Sequence, residues 1–504
     1  MLATVLSCAL VGIEAHPVQV EVDLAAGLPH TATVGLPDHV IRESKDRVRS
    51  ALRNSGFDIP PRRITVSLAP AHLRKEGAAY DLPIAVGILA ATGHEVRRGL
   101  AGTIIAGELA LDGALRPIRG ALSVAAAAQA LGCRRLVVPR VNAAEAALVP
   151  TVEVFGAASL REAVDLLSGA AADVTPTPPT TLTAEVADGA LDLAEVRGQE
   201  LAKRALEIAA SGGHNALLIG PPGAGKTMLA RRLTTILPPL AFDEALEVTK
   251  IHSAAGLLDD RPLVATRPFR APHHTISAAG LFGGGAGQRP GEVALAHRGV
   301  LFLDELAEFR RDALEGLRQP LEERRVSLVR AAWRIVYPAR LMLLAATNPC
   351  PCGFHGDPTH VCRCTPNRLT QYRARLSGPL LDRIDLHVDV APVRYGELTG
   401  DAPGETSAAV RARVLAARER QHARFAAGTT TCNAEMSARE LRAFARPDAA
   451  GASILERTMS RLGLSARAYT RVLKVARTIA DLDGAERVGA AHVAEAVQYR
   501  SLDR

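Results

Sequence analysis

The sequence predicts an α/β protein: a mixed α+β domain, then a parallel-sheet core, then a helical region. Three observations carry this. Apolar runs at 216–219, 300–303 and 341–346 alternate with helical patterns, and the last two end in polar residues, as strands of a parallel sheet covered on both faces do. The stretch AADVTPTPPTTLTAEVADGA, 171–190, is rich in Pro and Thr and lacks periodic apolar residues, so it reads as a linker. Beyond about residue 396 the strand signals fade and helical periodicity takes over. The expected units are 1–170, the linker 171–190, a core at 191–395 and a helical lid at 396–504.

In the first unit, VQVEVDL and RRITVSLAP alternate as strands do, and PDHVIRESKDRVRSALRNSG reads as a helix closed by Gly56. The opening MLATVLSCALVGIEAH has no basic leader and runs into VQVEVDL, so it reads as a first strand and not as a signal peptide. No apolar run reaches the ~18 residues of a membrane span. Seven cysteines, an odd number, do not make a secreted disulfide framework. The expectation is a cytoplasmic protein that meets no membrane. A net charge of +7 permits a polyanionic partner without requiring one.

The core opens with the strongest motif. The run 216–219 leads into Gly220-Pro221-Pro222-Gly223-Ala224-Gly225-Lys226-Thr227, and Met228 continues into a helix. Glycines let backbone N–H groups wrap phosphates, and the helix N-terminus favours their charge. Lys226 is placed to reach the β- and γ-phosphates and Thr227 to ligate Mg²⁺. The second run ends in Asp304 and Glu305. Asp304 is the expected Mg²⁺ partner and Glu305 the expected general base for the attacking water. The third ends in Asn348, suited to orient that water or touch the γ-phosphate. In LSGPLLDRIDLHVDV, Arg383 stands between two acids, either as a local ion pair or as an arginine finger reaching a neighbour in a ring. In LSARAYTRVLKVARTIADL, Leu464, Ala468, Val472, Val475 and Ile479 form an apolar stripe, while Arg467, Arg471 and Lys474 recur on another face. One arginine suits a nucleotide sensor on the lid; periodicity does not choose between Arg467 and Arg471.

Two further patterns stand out. Between Arg324 and Gly356 there is no acidic residue, and VSLV and RIVY flank RAAW as a hairpin would. Arg330 and Arg334 for phosphate, with Trp333 for base stacking, make a kit for single-stranded nucleic acid. The glycine-rich GLFGGGAGQ, 280–288, is a second candidate contact. NPCPCGFHGDPTHVCRC holds Cys350, Cys352, Cys362 and Cys364 around a short polar loop that cannot build a core, which suits a structural tetrahedral Zn²⁺. Adjacent His273 and His274 lack a matching ligand motif and read as polar structural or nucleotide-sensing residues.

Taken in order, these motifs resemble the AAA+ ATPases of the magnesium-chelatase-related group. PFRAPHHTISAAGLFGGGAGQRPGEVALAHRGVLFLDEL, NPCPCGFHGD, SGPLLDRIDL and SARAYTRVLKVARTIADL resemble the YifB/ComM family over essentially the whole chain. The resemblance implies ATP and Mg²⁺ as cofactors and a homo-hexameric ring with DNA as partner. It also implies branch migration of recombination intermediates, as in natural transformation. By the same resemblance Arg383 takes the arginine-finger position, Arg467 is the better sensor, and the hairpin in RRVSLVRAAWRIVYPAR projects into the ring's pore. LAPAHLRKEGAAYDLPIAVGILAATG resembles the active-site segment of Lon-like proteases, implying a fold like the second domain of ribosomal protein S5. Here Ala78, Ala79 and Asp81 stand where the serine is sought, and no lysine lies between Lys75 and Lys203, so no peptidase activity is expected. The alternatives are a chelatase-type motor acting through a partner and a protein-remodelling ATPase.

Overall fold

The computed structural model describes residues 1–170, 174–179, 191–258, 261–285, 288–330, 333–357, 360–393, 396, 404–426 and 428–500. The first sheet has seven strands: β1 (Leu2–Val11), β2 (Glu14–Ala25), β3 (His30–Val34), β4 (Arg63–Ala69), β5 (Thr103–Ile105), β6 (Arg135–Pro139) and β7 (Glu153–Ala157), in the order β3-β4-β2-β1-β5-β6-β7. The opening segment is not one strand. It turns at Gly12 and Ile13, so that β1 and β2 pair antiparallel, Leu2 opposite Asp23 and Val11 opposite Glu14. Val5, Val18, Val20 and Val22 are buried by the alternation that the pattern predicts. The helix His39–Asn54 is capped by the Asp38 carboxylate on the Ile41 N–H and ends before Gly56.

The second sheet has β8 (Ala216–Ile219), β9 (Phe269–Arg270), β10 (Val300–Leu303), β13 (Met342–Thr347) and β14 (Leu386–Asp389), in the order β9-β10-β13-β8-β14, all parallel. Between β10 and β13 the chain forms an antiparallel hairpin, β11 (Arg325–Arg330) and β12 (Trp333–Pro338). Residues 216–219, 300–303 and 342–346 are all buried, as their apolar runs require.

The helices after residue 404 do not stand apart. Val472, Val475 and Ile479 share one apolar cluster with Val300, Leu344 and the phosphate-loop helix residues Leu229 and Leu233. All five residues of the predicted apolar stripe are buried. The first unit is also joined to the core. Leu122, Ala125 and Val149 form one cluster with Leu240, Ala245 and Val248, and the Ser253 hydroxyl donates to the buried Glu145 carboxylate across the junction. Of the linker, residues 174–179 carry no regular structure; the rest lies outside the described residues. Among the described residues no helix is long and apolar enough to cross a membrane.

His387 on β14 is pushed down to about 3, first by burial and then by the Arg500 guanidinium. An unfolded histidine titrates near 6.5, so the unfolded chain binds a proton that the folded one refuses between about pH 6.5 and 3. Stability therefore falls with pH through that window, by about 1.4 kcal/mol from this residue at pH 5.5. The urea midpoint should drop between pH 7.5 and 5.5, and the drop should be smaller in His387→Leu.

Candidate nucleotide site and its surroundings

Three adjacent parallel strands deliver the site from their carboxyl ends. Ile219 of β8 lies opposite Thr347 of β13, and Leu303 of β10 lies opposite Ala345. Gly220, Asn348 and the Asp304–Glu305 pair, each just beyond a strand end, are therefore neighbours, at the edge where open parallel sheets bind ligands. The phosphate loop turns through Gly223 and Gly225, at φ +79° and +88°, a region that disfavours any side chain. The helix Lys226–Ile236 starts there.

Lys226 is buried. Its ammonium donates to Gly220 O at 2.7 Å, Pro221 O at 2.9 Å and Asn348 Oδ1 at 3.1 Å. Burial lowers its pKa, and the nearby Asp304 and Glu305 carboxylates oppose the shift. The Thr227 hydroxyl donates to Asp304 Oδ2 at 2.7 Å, so the two groups expected to hold Mg²⁺ already converge. Ala224 is buried, whereas Met228 points outward and is exposed. The donor set fits a nucleoside triphosphate with Mg²⁺ on Thr227 and Asp304. The ion would neutralise charge on the phosphates.

Glu305 has a left-handed backbone, φ +52°, which costs a non-glycine residue about 1–2 kcal/mol. Its Oε2 lies 3.1 Å from His274 Nδ1. The His274 ring stacks on His273 with centroids 4.1 Å apart and meets the edge of Phe309. This partnership was not legible in the sequence, where the adjacent histidines signalled polarity but not a target. β9 places the loop that carries His274 beside β10, which carries Glu305.

Arg383 and Arg467 lie elsewhere. Arg383 stands three residues before the first residue of β14, Leu386, which is opposite Ala216. It is therefore at the amino end of the sheet, separated from the phosphate loop by the length of β8, ~13 Å. The Arg383 guanidinium is buried and bound by Glu322 and by Pro379 O. Arg471 is engaged by Asp385, which also meets His214 Nδ1 at 3.0 Å. Burial alone would raise Asp385, but Arg471 and His214 outweigh it and hold the carboxyl well below the usual range. Arg467 is 66% exposed and 3.6 Å from Asp382. The helical region thus carries both candidate sensors beside Arg383, not over the phosphate loop of its own chain.

The four cysteines converge. Cys350 Sγ is 3.3 Å from Cys352 Sγ and 3.8 Å from Cys362 Sγ, and all four sulfurs lie within 4.8 Å of one another. Backbone N–H groups of Phe354 and Arg363 draw the Cys352 thiol down to about 6. The expected hairpin forms, and its strands run one residue further toward the turn than VSLV and RIVY, with Arg330 opposite Trp333 and Val326 opposite Tyr337. Val326, Ile335 and Tyr337 are buried; Val329 and Arg334 are exposed. Ala331, Ala332 and the side chains of Arg330 and Trp333 lie outside what is described. Of the Gly-rich candidate 280–288, Gly283 and Gly284 pair antiparallel with Pro290 and Arg289, and Tyr337 Oη donates to Gln288 O at 2.7 Å. Residues 286–287 lie outside the described residues.

A phosphate loop, an acidic pair and a polar sensor on adjacent strands of a five-stranded parallel sheet define an AAA+ ATPase. Comparison with known proteins agrees. Models of the magnesium chelatase subunit ChlI match residues 192–398, 20–142 and, for its C-terminal part, 404–500. The YifB protein of Salmonella typhimurium is 46% identical over 506 residues, covering 100% of this chain and 98% of its own length. Competence protein ComM of Haemophilus influenzae is 46% identical over 507 residues, with the same coverage. Lon protease 2 of Bacillus subtilis is 30% identical over 142 residues, 27% of this chain and 26% of its own. The chain belongs to the YifB/ComM family of magnesium-chelatase-like AAA+ ATPases, with a Lon-like N-terminal fold. Membership makes it an ATP-driven motor. In the Lon-like unit, Lys75 is buried with its ammonium on Gly35 O and Asp81 is paired with Arg47.

Replacing His274 with Ala should lower kcat by between ~10- and ~100-fold, because the Glu305 carboxylate loses the partner that fixes its position. Nucleotide Kd should stay within about twofold, since no contact of Lys226 is touched. Steady-state turnover and titration with a fluorescent nucleotide measure the two. Lys226→Ala should lose both.

Proposed function

We propose that this ATPase is a ring-forming motor that translocates DNA, acting as a branch-migration helicase on recombination intermediates. The observation that carries this reading is the β11–β12 hairpin. It leads directly into β13 and its Asn348, has no acidic residue along its length, and exposes Arg334. A basic hairpin rooted on the sensor strand couples a polyanion to the nucleotide. Arg330 and Trp333 would meet the strand at its tip. The name of the competence relative points the same way.

The sheet's polarity supports the ring. Arg383 and Arg467 sit at the end of the sheet away from their own phosphate loop, so any phosphate they bind belongs to a neighbouring subunit. Arg467, exposed and only loosely paired, is the better sensor; Arg471 is committed to Asp385. A neighbour's γ-phosphate would compete with Glu322 for Arg383. A homo-hexamer is the ring proposed. The four sulfurs suit a structural Zn²⁺, and the unit 1–170 is proposed as an assembly or DNA-contacting module. A second reading, a chelatase-type or protein-remodelling motor, is favoured by the chelatase description of the matching models.

ATP hydrolysis with single-stranded, duplex and four-way-junction DNA separates the two. Branched DNA should stimulate turnover, and Arg334→Ala should raise the DNA concentration for half-stimulation several-fold. Turnover indifferent to every DNA would favour the second reading. Arg383→Ala should lose ~10³-fold in kcat. Mixing it with Lys226→Ala should restore part of the activity, because intact Arg383 then serves intact phosphate loops across the subunit boundary.

A further inference from the structure

We propose that the four-cysteine segment is a zinc clamp on the phosphate loop, so that occupancy by the metal sets nucleotide affinity. This rests on the nucleotide and zinc readings above and extends them. A tetrahedral Zn²⁺ with Zn–S of ~2.3 Å places its sulfurs ~3.8 Å apart. Cys350 to Cys362 and Cys352 to Cys362, at 3.8 and 3.7 Å, match that spacing.

The segment touches the nucleotide site in two places. Cys350 is fully buried and follows Asn348 by two residues, and Asn348 Oδ1 holds the Lys226 ammonium. On the other side, the Gly353 N–H donates to Cys350 O at 2.9 Å and closes a turn that rests on the phosphate loop. A Cβ at Gly353 would lie 2.5 Å from Pro222 Cδ, and φ there is +87°. The backbone at 353 thus lies close against the ring of Pro222, an exposed residue of the loop. The root of the segment holds the lysine's partner while its turn touches the loop at Pro222.

Apolar packing does not fix this arrangement. None of residues 351–365 belongs to an apolar cluster among the described residues. Phe354 stacks on His360 at 4.7 Å, and Val361 is exposed. So small and polar a segment folds around an ion or stays loose. Loss of the ion releases the Gly353 turn from Pro222, and the phosphate loop regains conformations that nucleotide binding must then remove.

The test uses the full chain purified under reducing conditions. Zinc is measured by mass spectrometry and affinity by titration with a fluorescent ADP. Wild type should carry about one zinc per chain. Cys362→Ser should lose the zinc and weaken nucleotide binding ~10-fold, and chelation of wild type should do the same reversibly, with Zn²⁺ restoring affinity. Gly353→Ala should keep its zinc yet bind nucleotide more weakly, because the new methyl group meets Pro222. Absence of zinc from wild type overturns the metal site. Zinc present, with affinity unchanged on its removal and in Gly353→Ala, overturns the clamp. A wild type that binds no nucleotide refutes the nucleotide reading on which the clamp rests.

Discussion

A buried ammonium with three oxygen partners ties the core together. Lys226 cannot keep its charge inside the protein unless each proton meets an acceptor, and Gly220 O, Pro221 O and Asn348 Oδ1 supply them. Those acceptors come from two strands, so β8 and β13 must be neighbours in a fixed register. Ile219 opposite Thr347 is that register. A slip of one residue would remove Asn348 from reach and send every side chain of the strand to the opposite face of the sheet. The same register sets Asp304 against Thr227 and leaves Glu305 to be held by His274.

Sheet polarity then divides the labour. Groups that bind phosphate stand at the carboxyl ends of the strands, and the arginine cluster stands at the amino end of β14. No side chain spans that distance, so Arg383 and Lys226 of one chain do not meet. Glu322 is the acid that neutralises the buried Arg383 at that end.

The Lon-like unit is part of the same packed body. Val11 and Ile13, at the turn between β1 and β2, pack against the cluster that contains Ile335 and Tyr337 of the hairpin. The helix Phe242–Ala255 joins the other side through Val248 and Ser253. The hairpin's base is thus held from the first unit, while Val329 and Arg334, further along its strands, are exposed.

Much of the molecule was legible in the sequence because its signals are local. The apolar runs of the second sheet, the glycines of the phosphate loop, the acids one residue past β10 and the stripe from Leu464 to Ile479 each follow from the geometry of a single strand, turn or helix. The hairpin and the cysteine cluster were legible for the same reason, being contained within a few residues of chain. The opening was misread as one strand because Gly12 alone marks its turn. What only the tertiary structure decided depends on strand order, which no local pattern encodes. It brought His274 to Glu305 across 31 positions, set Gly353 on Pro222, and carried Arg467 and Arg471 to Arg383 and not to Lys226. Such contacts join residues far apart in the chain, and packing of the whole sheet fixes them.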